Sequence, residues 1–489
     1  MVVRPKVKKL LLRLRDPIKV LTLIPTARQF QYRGVDLVAV PHRLAECKVL
    51  TNVGFKPPHP VNYYYDWPAR FKPMQAQRDT VAFLSQHNRA YCLNDMGTGK
   101  TLSALWAFDY RRTEGLSKRL VVAAPLSTLE RVWGDELFKH MPHLTYTVLH
   151  GSKQQRLNKL KEDVDVYIIN HAGVKVIQHG LIARKDIDTV IIDELAQVAR
   201  NKETDQWKAL DALVHGRSCV WGLTGTPTPN HPTDAWAQCR LITPHTVPKF
   251  FSHFRAKTMR QATTFKWVAK DEALEVVTEA MQPAIRFERS ACIDLPPVMY
   301  ETREVSLSKT QQKLYDDMRD TLTAQYRGGE ITAANAAVKL SRLIQIASGG
   351  SYDPDGNPIV IPPKARISAV LELIEAAASK VIVFVPFKVV LPHLRDEIGK
   401  HYSTAIISGD VGKRERDEIF NTFQHGRHPQ VLVAQPAAMA HGLTLTAASV
   451  IVWFAPVTSA EIYEQANARI TRPGQKHAQL IAHIQATPV

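Results

Sequence analysis

Long apolar runs are missing from this 489-residue chain. None approaches the roughly 18 residues that a membrane-crossing helix needs, so no spanning segment is expected. Cysteine is scarce and scattered: Cys47, Cys92, Cys219, Cys239 and Cys292 contain no C-x-x-C pair. That spacing argues against a zinc site and a disulfide framework, and for a reducing, intracellular setting. The compartment would be cytoplasmic in a bacterial or viral context and nuclear in a eukaryotic one. Short-period repeats and low-complexity tracts are absent as well. Acidic residues are outnumbered, 46 against 63 basic ones, which leaves a formal charge of +17 and a pI near 9.6. Such a balance points to a polyanionic partner, nucleic acid first. A generally basic solvated surface is the plain alternative.

What is present is the composition of a globular protein, 45% hydrophobic and 22% charged, long enough for two or three domains of roughly 100 to 200 residues each. The first fifteen residues mix Arg4, Lys6, Lys8, Lys9, Arg13 and Arg15 with leucines. Without a long apolar core or a small-residue cleavage site, they read as part of the fold or a basic arm. Strand-like runs follow at Lys19 to Ile24 and Val35 to Val40, then a helix within Pro41 to Val53. A loop of prolines and aromatics, Pro57 to Pro68, suggests a domain boundary near residues 58 to 70.

Beyond it, short apolar runs alternate with helical stretches, the pattern of parallel βαβ units. The runs are Leu120 to Ala124, Val166 to Ile169, Val190 to Ile192 and Cys219 to Leu223. Leu241 to Ile293 is less regular, basic and aromatic. The alternation then resumes with Val381 to Val385, Ala405 to Ile407, Val431 to Ala434 and Val450 to Phe454. Two α/β lobes in tandem are expected. D-P-D-G-N-P, Asp353 to Pro358, carries turn chemistry and is expected at an exposed hairpin tip.

Four stretches carry chemistry. N-D-M-G-T-G-K-T, Asn94 to Thr101, lies between an apolar run and a helix-prone one. That order suits a phosphate cradle, in which glycines bring backbone N–H groups to the anion and a helix N-terminus adds its dipole. Gly97, Thr98 and Gly99 would line the phosphates, Lys100 would reach the β and γ phosphates, and the Thr101 hydroxyl would ligate Mg²⁺. The usual pattern has glycine where Asn94 stands, and G-K-T also occurs at ordinary helix starts. Second, the run ending at Ile192 delivers Asp193, placed to hold Mg²⁺, and Glu194, placed to orient an attacking water. Third, Thr224, Gly225, Thr226 and Pro227 follow another strand, at the same sheet edge or in an ordinary strand-end turn. Fourth, Tyr463 to Lys476 holds Arg469 and Arg472, three apart, which share a face if the stretch is helical or nearly so. Two such arginines can stabilise the charge of phosphoryl transfer.

Together these stretches resemble the superfamily-two helicase motor, and specifically its Swi/Snf-like DNA translocase branch. The likeness runs from Phe71 to the C-terminus in eight blocks, in the family's order. It implies two tandem RecA-like lobes with parallel sheets, plus a small N-terminal α+β module. Phe71 to Gln77 looks like the adenine-reading segment, with Gln75 as the matching glutamine. Ala124-Pro125-Leu126-Ser127 and Ile169-Asn170-His171 resemble DNA-contacting blocks, which implies contacts from Pro125, Ser127, Asn170 and His171. Thr224, Gly225 and Thr226 match the coupling motif. Val383-Phe384-Val385, Gly409-Asp410 with Arg414 and Arg416, and His441 to Ala448 match second-lobe blocks, with Thr444 and Thr446 toward DNA. Q-A-N-A-R-I-T-R-P-G-Q-K implies that Gln465 orients near the nucleotide and that Arg469 and Arg472 act as arginine fingers.

The chain departs from the family at three places. Leu195 and Ala196 stand where a small residue and a histidine usually follow the acidic pair. Pro436 to His441 replaces an arginine-and-glycine run, and the C-terminal bracing helices are expected to be short or missing. The expected organisation is an N-terminal module at 1–62, similar to that of annealing helicases and able to bind DNA, lobe 1 at 63–240, a helical connection at 241–297 and lobe 2 at 298–489. The resemblance implies an ATP- and Mg²⁺-dependent DNA translocase, a monomeric motor acting on duplex or branched DNA. Two alternatives stay open: a single-strand or RNA helicase of the same superfamily, and a nucleic-acid-binding protein with a decayed motor, to which Ala196 lends weight.

Overall fold

The computed structural model describes every residue except 69–70, 264–265, 293–295, 327–328, 333–335, 440–443, 473 and 488–489. The chain divides into two compact units, Met1–Cys292 and Ile293–Val489. Near the amino terminus, β1 (Val2–Arg4), β2 (Lys9–Leu12), β3 (Arg28–Tyr32) and β4 (Val35–Pro41) form an antiparallel sheet in the order β1-β2-β4-β3. Successive side chains on a strand point to opposite faces. Leu10, Leu12, Val38 and Val40 therefore share one face and close on Val20, Ile24, Cys47 and Leu50. Those partners come from the helices Ile18–Leu23 and Leu44–Asn52 and their flanks. The first helix corrects the expected strand at Lys19 to Ile24. Pro17 precedes it and the Asp16 carboxylate accepts the Ile18 N–H at 2.9 Å, a local start signal that overrides the β-leaning composition. Val20 and Ile24, four apart, then face the core together.

Seven strands form the main sheet of the first unit: β5 (Arg89–Cys92), β6 (Arg119–Ala124), β7 (Tyr146–Val148), β8 (Val166–Asn170), β9 (Ile187–Ile192), β10 (Cys219–Leu223) and β11 (Ala284–Ile285). All pair in parallel, in the order β11-β5-β10-β9-β6-β8-β7. Neighbouring residues serve opposite layers: Val121, Ala123, Ile169 and Val190 one, Val122, Ile168, Ile191 and Trp221 the other. Both faces are covered, so the strands read as continuous apolar runs. Because every strand runs the same way, all carboxyl ends lie along one edge, where ligands of open α/β sheets bind. The basic, aromatic region after residue 241 packs into this unit. Val277, Ala280 and Met281 join one of the two layers, and Arg255 lies 4.2 Å over the Trp267 ring.

The second unit repeats the plan with β12 (Val298–Ser306), β13 (Lys380–Phe384), β14 (Thr404–Ile407), β15 (Val431–Ala434), β16 (Ala448–Trp453) and β17 (Gln479–Thr487). These are parallel, in the order β12-β17-β16-β13-β15-β14. Asp353 to Pro358 is the exposed tip of an antiparallel hairpin, where the Asp353 carboxylate accepts the Asn357 N–H at 2.7 Å. Of the expected block His441 to Ala448, residues 441–443 lie outside the described residues, as do 440 and 441 of the run Pro436 to His441. Among the described residues no helix is long and apolar enough to cross a membrane.

Candidate nucleotide site at the strand ends of the first unit

The phosphate cradle leaves β5 and enters the helix Lys100–Thr113. Gly97 and Gly99 hold φ of 84° and 77°, a region that residues with a Cβ avoid. Gly99 is doubly constrained, since a Cβ there would collide with the side-chain amide of Gln77. Gln77 is buried and its Oε1 accepts the Met74 N–H at 3.0 Å, so it braces the cradle from the preceding helix. Gln75, the residue matched to adenine reading, is exposed and donates to Asp79 Oδ1 at 2.9 Å. Lys100 Nζ donates across the cradle to the carbonyls of Asn94 at 2.7 Å and Asp95 at 3.2 Å. Thr98 is buried, its hydroxyl bonded to the Asp95 carbonyl at 2.8 Å, while Thr101 is half-buried on the first helical turn.

Asn94, the departure from the usual glycine, has a structural reason. Its side chain is buried, donates to Thr80 Oγ1 at 2.9 Å and accepts the Phe287 N–H at 3.0 Å. The Asp95 N–H meets the Phe287 carbonyl at 3.0 Å, and the Asp95 carboxylate accepts the Arg289 N–H at 3.1 Å. These bonds extend the pairing of β11 with β5 past the strand end and tie residues 285–289 to the cradle.

At the end of β9, Asp193 is buried and held on both carboxylate oxygens. Oδ2 accepts from Trp133 Nε1 at 2.9 Å and Oδ1 accepts the Glu194 N–H at 3.1 Å. Burial pushes its pKa up, opposed by the Trp133 hydrogen bond, the Lys100 charge and the Glu194 N–H. A carboxylate that desolvation drives toward its neutral form suits a hard divalent cation, which would restore the anion. Among the described residues no group of three or more His, Cys, Asp or Glu could hold a metal. A single buried carboxylate is compatible with Mg²⁺, which takes one or two carboxylates from a protein. Glu194 sits at φ 49°, ψ 48°, a left-handed conformation that is uncommon for a residue with a long side chain and frequent at functional sites.

The third stretch reaches the same edge. The Thr224 N–H donates to the Cys92 carbonyl at 3.1 Å, and a Cβ on Gly225 would lie 3.5 Å from both Lys100 Nζ and the Asn94 carbonyl. Thr224 is buried and Thr226 half-buried. Where the acidic pair continues into Leu195 and Ala196, both side chains are buried. Leu195 Cδ2 leans over Gly222 so closely that a Cβ there would be 2.6 Å away. The carboxylate strand and the T-G-T strand thus touch through a leucine.

Among the residues matched to DNA contact, Ser127 is exposed and Pro125 buried. Asn170 accepts from Arg156 Nη1 at 2.9 Å. His171 is buried, and its Nε2 donates to the Asp193 carbonyl at 2.9 Å. In the second unit the helix Ala460–Asn467 stops two residues before Arg469, and both arginines lie in the turn and bend that follow it. Arg469 is buried, with Nε donating to the Gln465 carbonyl at 2.9 Å. Gln465 is buried and donates to Glu461 Oε1 at 3.2 Å. Arg472 is half-buried and donates to the exposed Thr444 hydroxyl at 3.2 Å. Thr446 is half-buried and accepts from Gln424 at 3.1 Å. Sequence reading missed Trp133, Gln77 and the Leu195–Gly222 contact. Only the apolar character of Trp133 and the glycine inside a buried strand hinted at them.

A glycine loop, an acidic pair and a T-G-T turn on one parallel-sheet edge, followed by a second parallel-sheet unit, make the two-lobed α/β plan of the superfamily-two helicase type. The chain belongs to the SNF2-related family: the SNF2-related domain matches residues 76–348, more than half of the chain. The helicase conserved C-terminal domain matches residues 365–474. An uncharacterised ATP-dependent helicase of Mycoplasma genitalium is 25% identical over 78% of this chain, which spans 36% of that protein's length. The SWI/SNF-related matrix-associated actin-dependent regulator of chromatin subfamily A-like protein 1 of Xenopus laevis is 25% identical over 84% of the chain and 42% of its own length. The chain thus spans well under half of each of these two relatives. Among solved structures, the SWI2/SNF2 ATPase core of Sulfolobus solfataricus in complex with double-stranded DNA aligns over 86% of this chain and 89% of that one, at 22% identity and a TM-score of 0.45.

Proposed function

We propose that the chain is an ATP-dependent translocase on duplex or branched DNA, acting inside the cell as a monomeric motor. The observation that carries this reading is the convergence of Lys100, Asp193 and the Thr224-Gly225 turn at one sheet edge. The cradle N–H groups with Gly97, Thr98 and Gly99 would bind the phosphates, Lys100 would draw off charge from the β and γ oxygens, and Gln75 and Gln465 would border the nucleotide. Thr101 and Asp193 would hold Mg²⁺, which would supply positive charge against the charge that develops during phosphoryl transfer. Glu194 would orient the attacking water. Arg469 and Arg472 of the second unit would supply transition-state charge, an effect worth about 10³- to 10⁵-fold in rate where it operates.

Residues 63–240 and 298–489 are the lobes in this reading, with 1–62 a separate module and 241–297 their connection. Pro125, Ser127 and Asn170 of the first unit, and Thr444 and Thr446 of the second, would each contact the DNA strand. His171 would act through its bond to the Asp193 carbonyl, linking the first-unit contacts to the metal-holding residue. Phosphate contacts dominate such a grip and suit the +17 charge. ATP turnover measured with duplex DNA, single-stranded DNA and RNA tests the proposal. The strongest stimulation is expected from duplex or forked DNA, with a steep decline as salt rises. Stimulation by RNA alone, or by no nucleic acid, would overturn it.

A further inference from the structure

The amino-terminal sheet uses only one of its faces for packing. On the other face, register places Phe30 beside Leu37 and Tyr32 beside Val35. Phe30 is 38% and Tyr32 53% exposed. Arg4 and Lys9 pair across β1 and β2 on this same face, and both are exposed. The two-residue loop between β3 and β4 holds Arg33 at φ 49° and Gly34 at φ 75°. Tight hairpins of this hand favour Asn or Asp at the first position and Gly at the second. Here an arginine takes the left-handed place, and its guanidinium lies 5.4 Å from the Tyr32 ring centroid. Charge is concentrated here too. Residues 1–62 hold twelve Lys and Arg against three Asp and Glu, a surplus of nine within the chain's total of +17.

We propose that this open face is a platform for single-stranded DNA, on which unpaired bases stack on Phe30 and Tyr32 while Arg33, Arg4 and Lys9 meet the backbone phosphates. Two exposed rings on one sheet face, with Arg33 in the adjoining turn and Arg4 and Lys9 farther across that face, match the chemistry of unpaired nucleic acid, because every base has a π-face and every linkage an anion. Duplex DNA keeps its bases stacked on one another and gains little from such rings. The choice of DNA over RNA rests on the translocase reading above. A motor on duplex DNA meets single strands at forks and branches, so the platform would add recognition of an unwound arm.

The experiment is fluorescence anisotropy of the full chain without ATP, using labelled oligo-dT, blunt duplex DNA and oligo-U RNA. Phe30→Thr with Tyr32→Thr retains strand propensity, and Arg33→Asn retains the turn. Matched thermal melts confirm that each variant is folded. The double threonine variant is expected to weaken oligo-dT binding by about tenfold or more and duplex binding by less than about twofold, with duplex-stimulated ATP turnover unchanged. An unchanged oligo-dT affinity in folded variants would overturn the platform, as would an equal loss on duplex. A loss confined to oligo-U would overturn the choice of DNA. Absence of duplex-stimulated turnover in the wild type would instead strike the translocase reading, so the two failures are distinguishable.

Discussion

The two larger sheets of the first unit place their chemistry differently. The seven-stranded sheet is buried on both faces by helices, so only its strand ends reach solvent, and Lys100, Asp193, Glu194 and Thr224 all stand at that edge. The four-stranded sheet is buried on one face only, and its exposed aromatic and basic side chains stand on the other. A parallel sheet that needs crossover helices gives up its faces. An antiparallel sheet joined by short turns can keep one. The comparison predicts that substitutions at the large sheet's edge damage turnover, while those on the small sheet's open face leave both turnover and stability nearly untouched.

Among substitutions that leave Lys100 in place, Gly99→Ala should produce the largest effect. It adds a Cβ at positive φ against Gln77, and a displacement of about 1 Å in the cradle costs roughly 10²-fold in kcat. Steady-state ATP turnover checks this, and a near-normal rate would show that the cradle does not position phosphate. Trp133→Phe should come next. It removes the only neutral side-chain donor given to Asp193 among the described contacts. A hydrogen bond to the charged form favours that form, so its loss raises the Asp193 pKa further and moves the acid limb of the pH–rate profile to higher pH. Turnover should fall more at about pH 6 than at about pH 8.

Gly222→Ala would sharpen the account of Leu195. The added methyl lies 2.6 Å from Leu195 Cδ2, and overpacking of this kind costs about 1 to 3 kcal/mol. Adding Leu195→Ala should recover part of the loss in a denaturant melt, which independent sites would not do. The smallest effect is expected for Phe30→Thr with Tyr32→Thr. Exposed substitutions of this kind stay within about 0.5 kcal/mol, and a large drop in Tm would mean that the open face is covered in the folded protein.

Features that depend on neighbouring residues were legible in the sequence. The cradle is one continuous segment, and β6, β8, β9 and β10 announced themselves because burial on both faces leaves no polar alternation. The turn at Asp353 to Pro358 was equally local. What could not be read depends on residues brought together by the fold. Trp133 and Asp193 are 60 residues apart, and Asn94 and Phe287 are 193 apart. No periodicity joins such pairs, so the sequence showed Asn94 as a departure from the usual glycine but not as a tether for the segment beside β5. The helix at Ile18–Leu23 was misread because six residues with β-branched members satisfy either period, and the Asp16 hydrogen bond that decides between them is a matter of geometry. In the sequence Leu195 and Ala196 stood only as a departure from the family's pattern. In the fold Leu195 joins the carboxylate strand to the T-G-T strand by packing.

The central claim is that the cradle, the acidic pair and the T-G-T turn form one ATP-hydrolysing site driven by DNA. ATP turnover by the full chain with saturating duplex DNA, compared between wild type and Lys100→Ala, tests it most directly. Removing the cation that bridges the cradle should lower duplex-stimulated turnover by about 10²- to 10³-fold, with the fold retained by thermal melt. Equal turnover in the two proteins would contradict the account.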